Sequence, residues 1–354
     1  MPAEASARIE LELAAFRHNV ALLAELVAPA RTMIAVKADA YGHGMLPFAR
    51  AALEVGAHEL AVLEVPAGLA LRQAGITVPL FAWLHGRDTD FAAAIAADID
   101  LGVSSLAELD AVLAAGAATP AAIHLKIDTG LHRNGASAED WPALVTAART
   151  AEQAGRVRVA AIWSHLADAS PEEDAAALGA LLAAVQVARD LGVEPPLIHL
   201  AASSAGIREP AARLGMVRFG IAAYGISPFD DVDGAGLGLR PVISLHAPVL
   251  HVEQGVATLG VGSADGIPPS VVGPSHGGAA VLLAGTRRPV TAIGVDTMQV
   301  GIGDAPIRPG QEAVVFGSGG AGEPTAEEWA GWAGTIGDEI VARASGRIPR
   351  RIIR

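Results

Sequence analysis

From about residue 30 to residue 230 the chain alternates in texture. Short apolar runs rich in Val, Ile and Leu are each followed by a longer, Ala-rich amphipathic stretch. The runs predict strands at Thr32–Val36, Glu59–Leu63, Val78–Ala82, Ile99–Val103, Ala122–Lys126, Val159–Trp163, Leu197–Leu200 and Met216–Gly220. The stretches between them, such as Leu106–Ala114 and Glu172–Leu191, predict helices. Eight strand-then-helix units are what a (β/α)8 barrel of the TIM type requires. A doubly wound sheet is the rival, but it more often has fewer strands and a glycine-rich first turn. The one GxGxxG match, Gly317–Gly322, has no strand-to-helix context and reads as a flexible loop.

Beyond about residue 235 the pattern changes. The runs Val242–His246, Val249–Val252, Ala279–Leu283 and Ala313–Phe316 are short, β-rich and separated by Gly and Pro. They predict an all-β domain that ends in one helix, Thr325–Ser345. A strand-like piece at Ala7–Leu13 precedes the barrel and is expected to pair into that β domain. The expected organisation of this α/β chain is an N-terminal strand within 1–12, a barrel over 13–230 and a C-terminal β domain over 231–354.

Composition narrows the function. At 354 residues the chain suggests two domains of the usual ~150-residue scale, and 51% hydrophobic residues can fill both cores. The formal net charge of −13 argues against nucleic acid or an anionic membrane as partner, because phosphate binding needs clustered cations. The absence of cysteine removes disulfides, thiolate metal sites and cysteine nucleophiles, and no metal site is expected. Mean hydropathy is high at +0.39, yet no run of 18 apolar residues escapes interruption by Gly, Pro or a charge. The start, MPAEASARIELEL, lacks a basic region leading into an apolar one. These features predict a cytoplasmic globular protein.

In such barrels reactive groups lie on the loops that follow the strands, with phosphate often held after the seventh and eighth. The first strand ends in AVKADAYGHG, which places Lys37 at its exit and Tyr41 four residues on. The fifth ends in HLKIDTGLHRNG, with Lys126, Asp128, His132 and Arg133; the sixth ends in WSHLADAS, with His165. The seventh runs into HLAASSAG, whose Ser203 and Ser204 are donors of a size to meet a phosphate. The eighth continues as VRFGIAAYG, with Arg218 on the strand and the amides of Gly220 and Ile221 behind it. Taken singly, Lys37 reads as a solvated cap, Arg218 as a structural ion-pair partner and His165 as a core histidine. Their joint placement on one face points further. A lysine at a strand exit can condense with an aldehyde when burial or a nearby cation lowers its pKa. Small residues after the last two strands let backbone N–H groups approach a phosphate. Together these groups suit pyridoxal 5′-phosphate, with Lys37 as its attachment point.

The segments AVKADAYGHG, HLKIDTGLHRNG, SHLADAS and VRFGIAAYGISP, with the ending GDEIVARASGRIPR, resemble the alanine racemase family over nearly the whole chain. The resemblance implies a barrel followed by a β domain, pyridoxal 5′-phosphate, and a homodimer with shared active sites. It implies an isomerase of D-alanine biosynthesis, interconverting L- and D-alanine or a similar small amino acid. By the same match Lys37 binds the cofactor aldehyde, while Tyr41, Ser203, Gly220 and Ile221 hold the phosphate. Arg218 faces the pyridine nitrogen, His165 lies near the ring, and Arg133 contacts the cofactor and steers the substrate carboxylate. Lys126 matches a lysine that is often carbamylated in the family and braces that arginine.

The match also has gaps. Family members use the cofactor lysine as one base and a tyrosine from the partner subunit, in a Gly-Tyr-Ala-Asp-Gly motif, as the other. Here the motif reads Gly262-Ser263-Ala264-Asp265-Gly266, and the chain's two tyrosines are Tyr41 and Tyr224. The asparagine before the phosphate serine is Ala202, the methionine of a Met-Asp pair near the substrate is Val295, and a phosphate-touching tyrosine is Asp338. Serine is far harder to ionise than a phenol without a partner base. Loss of that base predicts weak racemisation. The alternatives are a one-base pyridoxal phosphate enzyme (transamination, decarboxylation or aldol cleavage) and a non-catalytic cofactor- or ligand-binding relative.

Overall fold

The structure, a computed structural model, describes residues 6–272, 278–344 and 346–353. The chain divides into two compact units. The barrel unit comprises Leu23–Lys37 and Ala52–Gly220; the β unit comprises Ala38–Ala51 and the described residues up to Leu22 and from Ile221. The segment Ala38–Ala51 therefore groups with the β unit, and the barrel part ends at Gly220, ten residues before the expected 230.

The barrel unit is a closed ring of eight parallel strands, each hydrogen-bonded to the next in sequence. The first strand described, β1 (Arg8–Glu12), belongs to the other unit. The ring consists of β2 (Arg31–Ala35), β3 (Glu59–Val62), β4 (Leu80–Ala82), β5 (Ile99–Val103), β6 (Ala121–Lys126), β7 (Val157–Trp163), β8 (Ile198–His199) and β9 (Met216–Phe219). It closes where β2 pairs with β9, Arg31 opposite Met216 and Thr32 opposite Val217. Parallel strands in such a ring are covered on both faces, so they read as unbroken apolar runs rather than alternating ones. Helices intervene as the sequence predicts: Leu106–Ala114 follows β5, and Pro171–Asp190 follows β7. Each begins on a serine, Ser105 or Ser170, whose hydroxyl accepts a first-turn N–H and supplies a bond the helix itself cannot. Inside the ring, Met33, Ala35, Ala61, Phe81, Trp163 and Met216 form one packed cluster, so the barrel is a filled core and not a pore.

The β unit is a mostly antiparallel sheet of eight strands in the order β11-β14-β13-β12-β15-β10-β1-β16. The added strands are β10 (Ile243–Glu253), β11 (Val256–Leu259), β12 (Ala280–Leu283), β13 (Thr286–Ile293), β14 (Met298–Gly301), β15 (Glu312–Phe316) and β16 (Arg350–Ile353). Strand β1 lies between β10, antiparallel, and β16, parallel.

Two expectations are corrected. Val242–His246 and Val249–Val252 are one strand, β10, which carries bulges between Leu245 and His246 and between Val249 and His251. Pro248 reads as a break, but irregular pairing is where a sheet tolerates proline. The helix expected over Thr325–Ser345 is two helices, Ala326–Ala333 and Gly337–Arg343. Gly334 adopts φ 68° and ends the first with a left-handed cap, which a residue bearing a Cβ resists. The expected end at Ser345 lies outside the described residues, as do residues 1–5 and 354 of the expected terminal segments. Among the described residues no helix is long and apolar enough to cross a membrane.

Candidate active site

At the C-terminal ends of the barrel strands, one group organises the rest. Arg218, on β9, is buried at 8% exposure, and its guanidinium is held from several sides. One terminal nitrogen donates to His199 Nδ1 at 2.8 Å. The other donates to the carbonyls of Leu200 (2.8 Å) and Ser164 (3.0 Å) and to His165 Nδ1 (2.9 Å). Arg218 has no acceptor, so His165 Nδ1 must be the acceptor in that contact and its proton resides on Nε2. Burial and then the nearby charges of Arg218, Arg133, Lys126 and Lys37 push the His165 imidazolium pKa down to about 2, so His165 is neutral. Burial, then the Arg133 cation, lowers Arg218 to about 9, still above neutral pH, so it stays a cation.

Lys126 ends β6 and is 2% exposed. Its ammonium donates to Asn134 Oδ1 and lies 4.6 Å from the Trp163 ring centroid. Burial, then Arg133 and Arg218, pulls its pKa down to about 8 against the opposing pull of Asp128 and Glu108. The loop that carries Arg133 folds back onto this strand end. Asp128 donates its N–H to the Ala136 carbonyl, and Ala136 donates to the Lys126 carbonyl, each at 2.9 Å. Gly135 makes that return possible: it has φ 127°, and a Cβ there would come within 2.6 Å of the Asp128 nitrogen. The Asp128 carboxylate accepts from the amides of Gly130 and His132, which ties the loop's near half. Arg133 itself is exposed.

Lys37 is the last residue of the barrel unit, two positions past the end of β2. It is half-buried and close enough to His165 to depress that imidazole. Ser203 opens the short helix Ser203–Arg208, and its hydroxyl accepts the Gly220 N–H at 3.1 Å. The Gly220 amide, expected as a phosphate donor, is thus engaged with Ser203. The serine O–H remains able to donate. Lys37, Lys126, Arg133, His165, Ser203, Arg218 and Gly220 all belong to the barrel unit.

The other expected residues belong to the β unit. Immediately after Lys37 the backbone turns left-handed: Ala38, Asp39, Ala40 and Tyr41 have φ 51–56°. Bonds from Gly42 N to the Ala38 carbonyl (2.9 Å), from Gly44 N to the Asp39 carbonyl (2.8 Å) and from Met45 N to Asp39 Oδ1 (2.7 Å) close this turn. Tyr41 is buried against Tyr224, with ring centroids 5.1 Å apart, in a cluster with Phe16, His43 and Phe48. Burial, then the Asp338 carboxylate, raises the Tyr41 phenol above its ordinary value. Ile221 is buried and begins the 3-10 turn Ile221–Tyr224.

Ser263 is half-buried and opens the turn Ser263–Asp265. Its N–H donates to the Gly294 carbonyl, and Ala264 N–H donates to that of Val295, both at 2.9 Å. Ser263 and Val295 are thus adjoining, and the Val295 side chain is 65% exposed. Sequence reasoning missed Asp100, His124 and His199, which continue the hydrogen bonding of Arg218. A signal for His124 was present: it sits two residues before Lys126 on one strand, hence on the same face.

The donor set suits pyridoxal 5′-phosphate by its chemistry. It offers a primary amine for the aldehyde, a buried cation for the ring nitrogen and a free-handed hydroxyl for the phosphate. The barrel, its filled core and the cationic strand ends define a (β/α)8 protein whose strand ends suit an anionic cofactor. Comparison with known proteins specifies which. The family model of the alanine racemase N-terminal domain matches residues 11–228, and that of the C-terminal domain matches residues 246–352. Alanine racemase of Salinispora arenicola is 42% identical over 97% of this chain and 97% of its own length. That of Mycolicibacterium smegmatis is 42% identical over 98% and 94%. The crystal structure of alanine racemase from D-cycloserine-producing Streptomyces lavendulae superposes with a TM-score of 0.94 at 37% identity, covering 99% of this chain and 98% of that one. The Bacillus anthracis enzyme with bound L-Ala-P gives 0.87 at 27% identity, over 100% and 96%. The chain belongs to the alanine racemase family, which is pyridoxal 5′-phosphate dependent.

Proposed function

We propose that this protein is a pyridoxal 5′-phosphate-dependent alanine racemase that interconverts L- and D-alanine. The observation that carries the reading is electrostatic. In a chain of net charge −13, the cations Lys37, Lys126, Arg133 and Arg218 all bear on one neutral histidine, His165, at the barrel's reactive end. Such a cluster attracts a phosphate and an amino-acid carboxylate. When bound, the cofactor supplies an electron-accepting conjugated system next to the substrate Cα. Lys37 binds its aldehyde and moves a proton at Cα from one face. Arg133 binds the substrate carboxylate, with Lys126 behind it; the lowered pKa of Lys126 leaves part of its amine neutral, as carbamylation requires. Arg218 donates a hydrogen bond to the ring nitrogen without giving up its proton, which keeps the ring a modest electron acceptor and favours simple proton exchange. Ser203, whose O–H remains able to donate, would hold the phosphate from the barrel unit. Tyr41, Gly220 and Ile221 are assigned to the phosphate, and Val295 to the substrate's surroundings, by the family match alone.

The second face is different in this chain. Both tyrosines lie in the aromatic cluster around Tyr224, and Ser263 stands at the motif position of the family's base. We assign the second proton transfer to the Ser263 position, through its hydroxyl or a water it holds, in a cytoplasmic homodimer whose subunits complete each other's sites. The exposure of Val295 (65%) and Ile336 (63%) in the β unit supports a partner surface there. Relatives about 40% identical over nearly the full length favour racemisation over the one-base and non-catalytic alternatives.

The test is direct. Purified protein loaded with pyridoxal 5′-phosphate is expected to be yellow, to sediment as a dimer and to convert L-alanine to D-alanine by chiral chromatography. Lys37→Ala is expected to lose both colour and activity. A wild-type protein that takes up no cofactor would overturn the proposal.

A further inference from the structure

Three polar side chains inside the barrel lie beyond the groups assigned above: Asp100 on β5, His124 on β6 and His199 on β8. They continue the contact made by Arg218. His199 Nε2 lies 3.1 Å from His124 Nδ1, and His124 Nε2 lies 3.2 Å from Asp100 Oδ2. With the 2.8 Å contact from Arg218 to His199 Nδ1, four residues from four strands form one unbroken line.

The two ends dictate every proton in it. A guanidinium offers only donors, so His199 Nδ1 accepts and His199 carries its proton on Nε2. That proton points at His124 Nδ1, which therefore accepts, leaving the His124 proton on Nε2. A carboxylate offers only acceptors, and Asp100 receives that last N–H. Turning over the tautomer of either ring would set two donors or two lone pairs against each other. The rings are also packed in place: His124 stacks on Phe81 at 4.4 Å and 17°, and His199 on Trp163 at 5.5 Å and 14°. Both histidines are at most 1% exposed, whereas the Asp100 side chain is 15% exposed. A buried chain of this kind is costly if any member loses its partner, so it holds its members in one arrangement.

We propose that Asp100 is a positioning residue for Arg218. Acting through His124 and His199, it receives the last N–H of the donor chain and so anchors one edge of the guanidinium, while Ser164, Leu200 and His165 hold the other terminal nitrogen. This inference rests on the reading that Arg218 faces the pyridine nitrogen, but the chain itself exists or fails independently of the cofactor.

The experiment uses full-length protein with 15N-labelled histidine, with and without bound pyridoxal 5′-phosphate. The His124 and His199 signals are assigned by single substitution. Both rings are expected as neutral Nε2–H tautomers in wild type. Asp100→Leu removes the final acceptor and leaves the buried His124 Nε2–H unpaired, so the His124 Nε2 and attached-proton signals are expected to shift while Arg218 still sets both tautomers. Alanine racemisation kcat should fall about 10–100-fold, by analogy with the loss seen when the hydrogen-bond partner of a metal-bound histidine is removed, with little change in KM. Asp100→Asn, whose amide carbonyl still accepts, is expected to restore the His124 Nε2 signal and most of kcat. An Nδ1–H tautomer for either ring in wild type would overturn the proposal, as would a leucine variant with unchanged rings and unchanged kcat. If the leucine variant does not fold, the wild-type tautomers and the asparagine variant still decide. Wild-type protein that neither binds cofactor nor racemises would instead refute the site reading and leave the ring signals as expected.

Discussion

Substitution at Ala38 tests whether the turn after Lys37 is strained. Ala38 is exposed, so changing it to glycine removes no buried surface. Its φ is 51°, one of four consecutive residues in the left-handed region. Each L-residue held there costs roughly 1–2 kcal/mol, while glycine is nearly indifferent. Against that relief stands the greater freedom of glycine in the unfolded chain, about 0.4–1 kcal/mol. The difference predicts that Ala38→Gly stabilises the turn by about 0.5–1 kcal/mol. Ala38→Val, branched at Cβ, should destabilise it, because such residues are outliers at positive φ. In an ordinary right-handed turn glycine would destabilise instead, so the sign alone discriminates. The turn is closed by the amides of Gly42 and Gly44. Hydrogen exchange at those two amides reads the local opening free energy without requiring the whole chain to unfold in one step. Slower exchange in the glycine variant and faster exchange in the valine variant are expected. Faster exchange on Ala38→Gly would refute the reasoning, and with it the idea that the fold maintains strain beside Lys37.

Other expectations concern the two faces of the reaction. Ser263→Tyr should raise racemisation by at most the ~10²–10⁴-fold that a general base supplies, and by less where Val295 and Asp338 leave the phenol poorly placed. Fast racemisation by wild type with Ser263→Ala unaffected, at equal cofactor occupancy, would place the second base elsewhere. Lys126 bears on pH. Its pKa is about 8 in the fold against 10.5 unfolded, so the unfolded chain holds the extra proton between those values. Stability should therefore rise with pH across that window, by up to about 3 kcal/mol, and the full penalty is present below pH 8. Urea unfolding in buffer free of carbon dioxide should show that rise in wild type and its absence in Lys126→Met; identical slopes would contradict it.

Much of this was legible in the residue pattern, for reasons that particular elements make plain. Strands buried on both faces, such as Ile99–Val103, announce themselves as apolar runs because nothing on them meets water. Lys37 could be singled out as the candidate cofactor lysine because its strand exit and neighbours form a distinctive string. The grouping of Ala38–Ala51 with the β unit was not legible, since it depends on packing of Phe48 and Tyr41 against Phe16 and Tyr224, far apart in sequence. Nor was the line from Arg218 to Asp100. Its members come from four strands, and only the register of a closed ring brings them together. Strand β10 was divided because Pro248 reads as a stop, although the bulges on either side accommodate it.

The placement of β1 between β10 and β16 has a consequence for how the chain is made. A ribosome releases Arg8–Glu12 early, but the strand's first neighbour begins only at Ile243 and its second at Arg350. At about 5–20 residues per second, tens of seconds separate the strand from its first partner. Ile9 and Leu11, at most 1% exposed in the finished fold, lack both strand neighbours for that interval. The barrel's last strand, ending at Phe219, leaves the ribosome before either partner does. Of the described strands the most N-terminal is among the last to find its partners, and a nascent chain paused anywhere before Ile243 leaves Ile9 and Leu11 without either neighbouring strand.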